Sequence, residues 1–371
     1  MTGSSAHPEV SELLERAVRA GMAPGAVAAW GAGGADPPRQ VAVGYARLVP
    51  DREPATESTW YDLASLTKPL VTGTLALLAV RERALGLDST VGEVIGEAAG
   101  RPIGNATVRQ LLAHSSGLPA WAPLYALADE PELAVEAVLS LELVGWPDQR
   151  VEYSCPGFIL LAAMLERVFE RPLDVAFLER VVVPLGLGRA VGFRPDPTQH
   201  PLAGGAAEPA IERRLCTERG LDPSRIPGVG PGLPDDGNAR FLTGVGGNAG
   251  LFGTAAGVHR LASQYLRSAS QLLHPNEIAT ATVITSGGDG GQIRGLGWQL
   301  ASSPGCSAGP ALPGSALGHN GFTGTSVWVD PRRQAVFVLL ANRHHPGHHE
   351  VDLHPLRRRF HALAAADLAR H

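Results

Sequence analysis

Ser65 and Lys68 have the residue types and the spacing for covalent chemistry. They lie in the run Tyr61-Asp62-Leu63-Ala64-Ser65-Leu66-Thr67-Lys68-Pro69-Leu70. Residues at i and i+3 share a helix face, so a helical run brings the lysine to the serine oxygen. A serine hydroxyl is a poor nucleophile until a base takes its proton. Lysine can be that base only when neutral, and burial or nearby positive charge would lower its pKa. Pro69 limits where the helix starts, because proline is tolerated in a first turn and costly deeper in. The helix begins either at or just before Ser65, or at Pro69 itself. The bias against helix in a residue that precedes proline favours the second for Lys68. Both place Ser65 at a helix entrance, where free amides and the positive dipole end can stabilise an oxyanion. Taken alone, the pair also fits an N-cap serine followed by a surface lysine.

Two further segments supply what such a nucleophile would need. Val151-Glu152-Tyr153-Ser154-Cys155-Pro156-Gly157-Phe158 leads into an apolar run. A tyrosine before a helix can relay protons if a cation lowers its pKa; it can equally be a core tyrosine with its hydroxyl satisfied. Gly318-His319-Asn320-Gly321-Phe322-Thr323-Gly324-Thr325-Ser326 runs into a strand-like stretch. Its glycines allow close approach of the backbone. A strand edge there can provide a second oxyanion donor, and His319 can orient the tyrosine or bind substrate.

In this order the three segments resemble the motif set of serine β-lactamases and penicillin-binding proteins. The chain is most similar to the class C β-lactamase and family VIII esterase branch, whose second motif is Tyr-x-Asn and whose third is often His-x-Gly. Val108 to Pro119, Gly246 to Phe252 and Arg294 to Trp298 are similar to further family segments, so the resemblance spans about 25 to 345. It implies that Ser65 is acylated, that Lys68 is its partner and that Tyr153 relays a proton to the leaving group. It implies that His319, Asn320 and Gly321 lie along the substrate-binding strand, with the amides of Ser65 and Phe322 as the oxyanion hole. The sequence departs from the family at two positions. Cys155 stands where asparagine would contact the substrate's acyl amide, and a thiol is a poor substitute. Asn248 stands where histidine is more usual. Both favour simple esters over β-lactams or peptides.

Other histidines invite a blander reading. His114 ends a helical run shortly before Gly117, which suits a C-cap near the negative dipole end better than catalysis. Arg343-His344-His345-Pro346-Gly347-His348-His349-Glu350 has the composition of a metal tract. Its proline and glycine prevent a helical i, i+4 ligand pair, so a solvated loop is expected. No metal or other cofactor is expected.

The elements that must position these residues can be read from periodicity. An amphipathic helix is expected over about 9–21, with Leu13, Leu14 and Val18 on one face. Strands are expected over Gly25–Trp30 and Gln40–Ala46, and later over Leu296–Leu300, Thr325–Val329 and Ala335–Leu340. A long helix should run from near Ser65 to about Leu85. Val108–Ala113, Leu133–Leu143, Phe158–Phe169 and Val258–Leu273 are helical in pattern, Gly220–Asn238 reads as a long ordered loop, and Leu356–Ala369 closes the chain as a helix. The expected fold is α+β and β-lactamase/transpeptidase-like: a mixed, antiparallel sheet built from both chain ends, flanked by helices, with an inserted helical lobe. The expected layout is one domain over 1–371, with a sheet lobe at about 1–85 and 290–371 and a helical lobe at about 86–289. The cleft would lie between them.

Bulk properties narrow the function. The 371 residues are 44% hydrophobic and 18% charged, a globular composition, with 45 glycines and 30 prolines marking many turns. A net charge of −5 gives no reason to expect nucleic acid or an anionic membrane as partner. No apolar run reaches the ~20 residues of a membrane span. The N-terminal residues lack the pattern of a secretory signal, so a soluble, cytoplasmic protein is expected. Cys155, Cys216 and Cys306 are too few and too scattered for a disulfide framework. The expected activity is a serine hydrolase acting through an acyl-enzyme on a small ester or amide. The competing readings are a D-alanyl-D-alanine carboxypeptidase or β-lactamase, and a non-catalytic ligand-binding module on the same fold.

Overall fold

The computed structural model describes residues 7–34, 36–286, 291–347 and 351–370. Its main sheet has seven strands: β1 (Gly25–Ala32), β2 (Arg39–Arg47), β3 (Glu53–Pro54), β7 (Gln299–Leu300), β8 (Leu317–Asn320), β9 (Ser326–Asp330) and β10 (Ala335–Ala341). They are ordered β3-β2-β1-β10-β9-β8-β7. Every ladder in the sheet is antiparallel. The two chain ends meet at its centre, where β1 pairs β10 from Ala26–Ala341 to Ala32–Ala335.

Side chains alternate across a strand, so a central strand must bury both faces. Val27 and Ala29 of β1, with Val336, Val338 and Leu340 of β10, point into the core shared with the helical region. Ala26, Ala28 and Trp30, with Phe337 and Leu339, point the other way. The second face is covered by the helices Pro8–Arg19 and His354–Ala369, which contribute Val10, Leu14, Leu356 and Phe360. Both helices have proline in the first turn, where its lost N–H has no intrahelical partner.

A second, three-stranded sheet was not foreseen. β4 (Tyr61–Asp62) and β5 (Val191–Phe193) flank β6 (Leu251–Gly253). It ties the residues before Ser65 to the segment after Asn248. Two expected helices are shorter than their patterns: Leu133–Leu143 shrinks to Ala134–Leu139, and Val258–Leu273 becomes Ala255–Ala262 followed by a single 3-10 turn. The strand expected over Leu296–Leu300 is reduced to Gln299–Leu300, because Gly297 adopts φ +80°. The expected loop over Gly220–Asn238 contains only a 3-10 turn, Pro223–Arg225, before the helix Gly237–Phe241 begins. The three cysteines are free and buried. No helix among the described residues is long and apolar enough to cross a membrane.

Candidate active site

Ser65 sits in a 3-10 turn, Ala64–Leu66, that runs through Thr67 into a π-helical turn, Lys68–Gly73, and then into the helix Thr74–Arg81. Of the two possible starts, the structure takes the one just before Ser65, and Lys68 is helical despite preceding proline. The wide π turn accommodates Pro69, whose carbonyl is satisfied by the hydroxyls of Thr74 and Tyr265, each at 3.2 Å. Lys68 is completely buried. Its Nζ donates to Ser65 Oγ at 3.1 Å and to the Asn248 carbonyl at 3.0 Å. The segment carrying that carbonyl lies close to the helix: Thr72 Oγ1 donates to Gly247 O at 2.7 Å. A side chain at Gly247 would collide with the Phe158 carbonyl, so only glycine fits there.

Tyr153 approaches from the turn before the helix Cys155–Phe169. Ser154 caps that helix by accepting from Gly157 N at 3.0 Å, and Pro156 occupies the first turn. The Tyr153 ring lies beside the ammonium, with Lys68 Nζ 4.9 Å from its centroid, and its hydroxyl interacts with Lys68 and Ser65. Cys155 is the first residue of the helix and its thiol faces Lys68 and the Asn248 side chain. The two positions that depart from the family pattern are therefore neighbours.

The third wall is the β8–β9 turn. His319 is buried on β8, and its Nδ1–H donates to the Asn320 carbonyl at 2.9 Å, which leaves Nε2 as an acceptor. Asn320 Oδ1 accepts from Ser307 Oγ at 2.8 Å. Gly321 donates its amide to Thr325 O at 2.7 Å. A Cβ at Gly321 would collide with the Thr325 hydroxyl and lie 2.8 Å from the Leu63 carbonyl, so the turn can close on the segment before Ser65 only with glycine there. Phe322 is 41% exposed at the rim. Among the described residues, the amides of Ser65 and Phe322 donate to no other protein group. Ser65, Tyr153, Cys155, His319, Asn320, Gly321 and Phe322 line one cleft with a volume of about 630 Å³.

Sequence reasoning missed four features of this cleft. His114 does occupy the expected helix end: it has φ +58° and closes a Schellman motif, with His114 N bonding Leu111 O and Ser115 N bonding Gln110 O. Its ring, however, does not cap carbonyls. It packs between Tyr153, at 4.6 Å between centroids, and Phe158, at 4.9 Å. Its Nδ1 accepts from Ser154 N at 2.9 Å. Arg294 also lies over the tyrosine, its guanidinium carbon 5.3 Å from the ring centroid. Asp235 and Asp236 form part of the cleft wall, and Trp121 part of its rim. Arg294 was visible only as part of the segment Arg294 to Trp298, and the two aspartates only as part of a loop.

Charge in the cleft differs from what a neutral lysine base requires. Burial lowers the Lys68 pKa, but Cys155, Tyr153 and Asp236 raise it, and the result is above the ordinary lysine value. The expected lowering is therefore reversed: the groups that face Lys68 outweigh its burial and favour the ammonium form. Burial raises the Tyr153 pKa against the opposing effect of Lys68. Burial likewise raises the Cys155 thiol, so it is not a thiolate nucleophile. His114 and His319 are pushed well below the ordinary histidine range by burial, Arg294 and Lys68, so both rings are neutral. Burial brings the Arg294 pKa down to about 10.

The described part of the histidine tract, residues 343–347, is not the solvated loop its composition suggested. His344 and His345 are buried. His345 accepts the Leu48 amide on Nε2 and donates from Nδ1 to Gly205 O, both at 2.9 Å, so neither nitrogen is available to a metal. His344 Nδ1 lies 3.4 Å from Asp235 Oδ2. His348, His349 and Glu350 lie outside the described residues.

A family model described as Beta-lactamase matches residues 14–362. The chain belongs to the beta-lactamase family. Its relatives include a putative D-alanyl-D-alanine carboxypeptidase of Escherichia coli O157:H7, 28% identical over 78% of this chain and 70% of the relative. An N-acetylmuramyl-L-alanine amidase of Bacillus subtilis (strain 168) is 27% identical over 91% of this chain and 81% of the relative. Esterase EstB of Burkholderia gladioli is 29% identical over 80% and 81%. Among solved structures, EstCE1, a hydrolase with promiscuous acyltransferase activity, superposes with a TM-score of 0.75 at 22% identity, covering 96% of this chain and 97% of that one. A penicillin-binding protein homologue from Caulobacter crescentus gives 0.73 at 23% identity, covering 97% of each. These likenesses show the expected fold. As a beta-lactamase family member, the protein is a serine hydrolase.

Proposed function

We propose that Ser65 is the nucleophile of an esterase-like hydrolase, acting through an acyl-enzyme on small carboxylic esters or amides. The observation that carries this is the contact of 3.1 Å between Lys68 Nζ and Ser65 Oγ at the floor of an open cleft, with Tyr153 beside both. In the form of the Lys68–Tyr153 pair that has lost one proton, Ser65 Oγ attacks the carbonyl carbon while its own proton passes to the pair. The amides of Ser65 and Phe322 receive the oxyanion. As the tetrahedral intermediate collapses, the pair returns the proton to the leaving group, and water then hydrolyses the acyl-enzyme by the same route in reverse. His319, Asn320, Gly321 and Phe322 line the substrate strand, and Cys155 offers the acyl side no amide to bond. The chemistry needs no cofactor or metal, because nucleophile, proton carriers and oxyanion donors are all side chains and amides of the chain.

A second reading is favoured by one observation. Arg294 is buried beside Tyr153, makes no ion pair among the described residues, and has an Nη1 with no partner. A leaving group bearing a carboxylate would satisfy it, which suits a peptide or β-lactam and the carboxypeptidase names of relatives.

Intact-protein mass after a fluorophosphonate, with Ser65→Ala as control, tests the nucleophile. One adduct on the wild type and none on the folded variant is expected; labelling of the variant would overturn it. The ratio of kcat/KM for p-nitrophenyl butyrate to that for nitrocefin and a D-Ala-D-Ala peptide separates the readings. Preference for the butyrate supports the esterase, and preference for either of the others, lost in Arg294→Ala, supports the second reading.

A further inference from the structure

The charged residues behind the nucleophile have no task in the mechanism above. Asp62 ends β4 two residues before the 3-10 turn and is buried. Its carboxylate accepts two amides: Ala64 N on Oδ1 at 2.8 Å and Asp235 N on Oδ2 at 2.7 Å. The first bond closes a local turn over Leu63, a mode short acidic side chains favour. It does so around an unfavourable residue, because Ala64 has φ +47°, a left-handed conformation that a Cβ disfavours. Such a conformation persists only where the surroundings over-determine it.

The same three residues are held from the opposite side. Thr323 Oγ1 donates to the Asp62 carbonyl at 2.8 Å, and Thr325 Oγ1 donates to the Leu63 carbonyl at 3.2 Å. These threonines lie in the β8–β9 turn, just after Phe322. Four bonds on Asp62, Leu63 and Ala64 therefore link the Ser65 turn, the Phe322 turn and the Asp235–Asp236 wall of the cleft.

We propose that Asp62 is a positioning residue: by accepting the amides of Ala64 and Asp235, its carboxylate holds the left-handed turn that aims Ser65 at Lys68 and fixes that turn to the cleft wall. The inference rests on Ser65 being the nucleophile.

The surroundings make this function sensitive to charge. Asp235 and Asp236 face Asp62 from the segment before the helix Gly237–Phe241. Beyond them, Asp235 is paired with His344, which follows β10, and feels Arg240 of the same helix. Arg240 itself pairs with Glu212 at 3.0 Å. Thr323 contributes only a neutral hydroxyl. Burial, and then Asp235, push the Asp62 pKa up to about 7, while the bond to His344 keeps Asp235 low despite its burial. Of the two carboxylates, Asp235 therefore holds its charge more firmly and Asp62 is the more readily protonated. A protonated carboxyl turns one acceptor into a donor, which an incoming amide N–H cannot use.

The test uses Asp62→Asn and Asp235→Asn in the full chain. Asparagine keeps an acceptor for one amide and presents N–H groups to the other. Asp62→Asn should lower kcat for p-nitrophenyl butyrate and the rate of fluorophosphonate labelling, each on the order of 100-fold, as expected for a small misplacement of a nucleophile. KM should stay within about twofold, since substrate-contacting groups are unchanged. The ratio of wild-type to Asp62→Asn labelling rates should rise with pH to a midpoint near 7 and then flatten. Wild-type labelling should rise more steeply with pH below the Asp62 midpoint than above it. In Asp235→Asn that midpoint, read as the change of slope, should fall, because a charge that raises the Asp62 pKa is gone. This second variant carries the test if Asp62→Asn does not fold. A folded Asp62→Asn that labels at the wild-type rate, or an unmoved midpoint in Asp235→Asn, would overturn the proposal. If wild-type Ser65 itself takes no label, it is the nucleophile assignment that fails.

Discussion

The rings of His114 and Tyr153 lie 4.6 Å apart, inclined by 34°. His114 reaches that place because it follows a helix, Val108–Leu112, that a capping box of Thr107 and Gln110 starts and a left-handed residue ends. Its Nδ1 also takes the amide of Ser154, the residue after Tyr153. The histidine therefore supports the tyrosine through both its ring and the adjacent backbone. His114→Ala should leave a buried amide unpaired, at a cost of about 1–3 kcal/mol, and free the Tyr153 ring. The expected outcome is a lower melting temperature with kcat reduced more than KM is raised. Unchanged kcat in the folded variant would show that Tyr153 is held without it.

Lys68 and Tyr153 should behave as one unit. Lys68→Ala and Tyr153→Phe should each cost at least ~100-fold in kcat/KM, as for a positioned acid–base group. The double variant should lose far less than the product, because members of a unit are non-additive. Multiplicative losses, measured on p-nitrophenyl butyrate, would show two independent roles.

The pH profile follows from the charge of that unit. The pKa values of Lys68 and Tyr153 both lie above their ordinary values, and the reactive form has one proton fewer than the resting pair. Below both pKa values that form grows about tenfold per pH unit. With wild-type enzyme and a neutral ester, kcat/KM corrected for uncatalysed hydrolysis should keep rising through about pH 9. A plateau starting near pH 7 would mean that Lys68 is neutral in the working enzyme.

Cys155 is the simplest place to alter selectivity. Its thiol faces Lys68 and Asn248 in the cleft, where it offers the acyl side only weak hydrogen bonding. Cys155→Asn should raise kcat/KM for nitrocefin relative to p-nitrophenyl butyrate. A ratio that does not move, in a variant that still labels at Ser65, would place acyl-side recognition elsewhere.

Much of the architecture follows from local pattern. The apolar runs Gly25–Trp30 and Ala335–Leu340 identify strands, and the periodicity over about 9–21 and Leu356–Ala369 identifies helices; the structure sets those strands side by side at the middle of the sheet and those helices over one of its faces. The spacing of Ser65 and Lys68 defines their contact, because residues three apart on one helical segment meet. The order of Ser65, Tyr153 and His319 along the chain carries the family.

Everything that depends on residues distant in sequence was decided by packing. Tyr153 packs against His114, 39 positions away, and Arg294, 141 positions away, and no local signal relates them. The charge of Lys68 was misjudged from its type and burial, because what opposes burial is supplied by Tyr153, Cys155 and Asp236 across the cleft. His344 and His345 looked like surface residues by composition, yet the turn after β10 inserts them against Asp235, Leu48 and Gly205. Asp62 stands three positions from the nucleophile, but its second amide comes from Asp235, 173 residues later. Periodicity reports which face of an element is buried; which groups meet there, and hence each group's charge and partner, exists only once the sheet and helices have closed on one another.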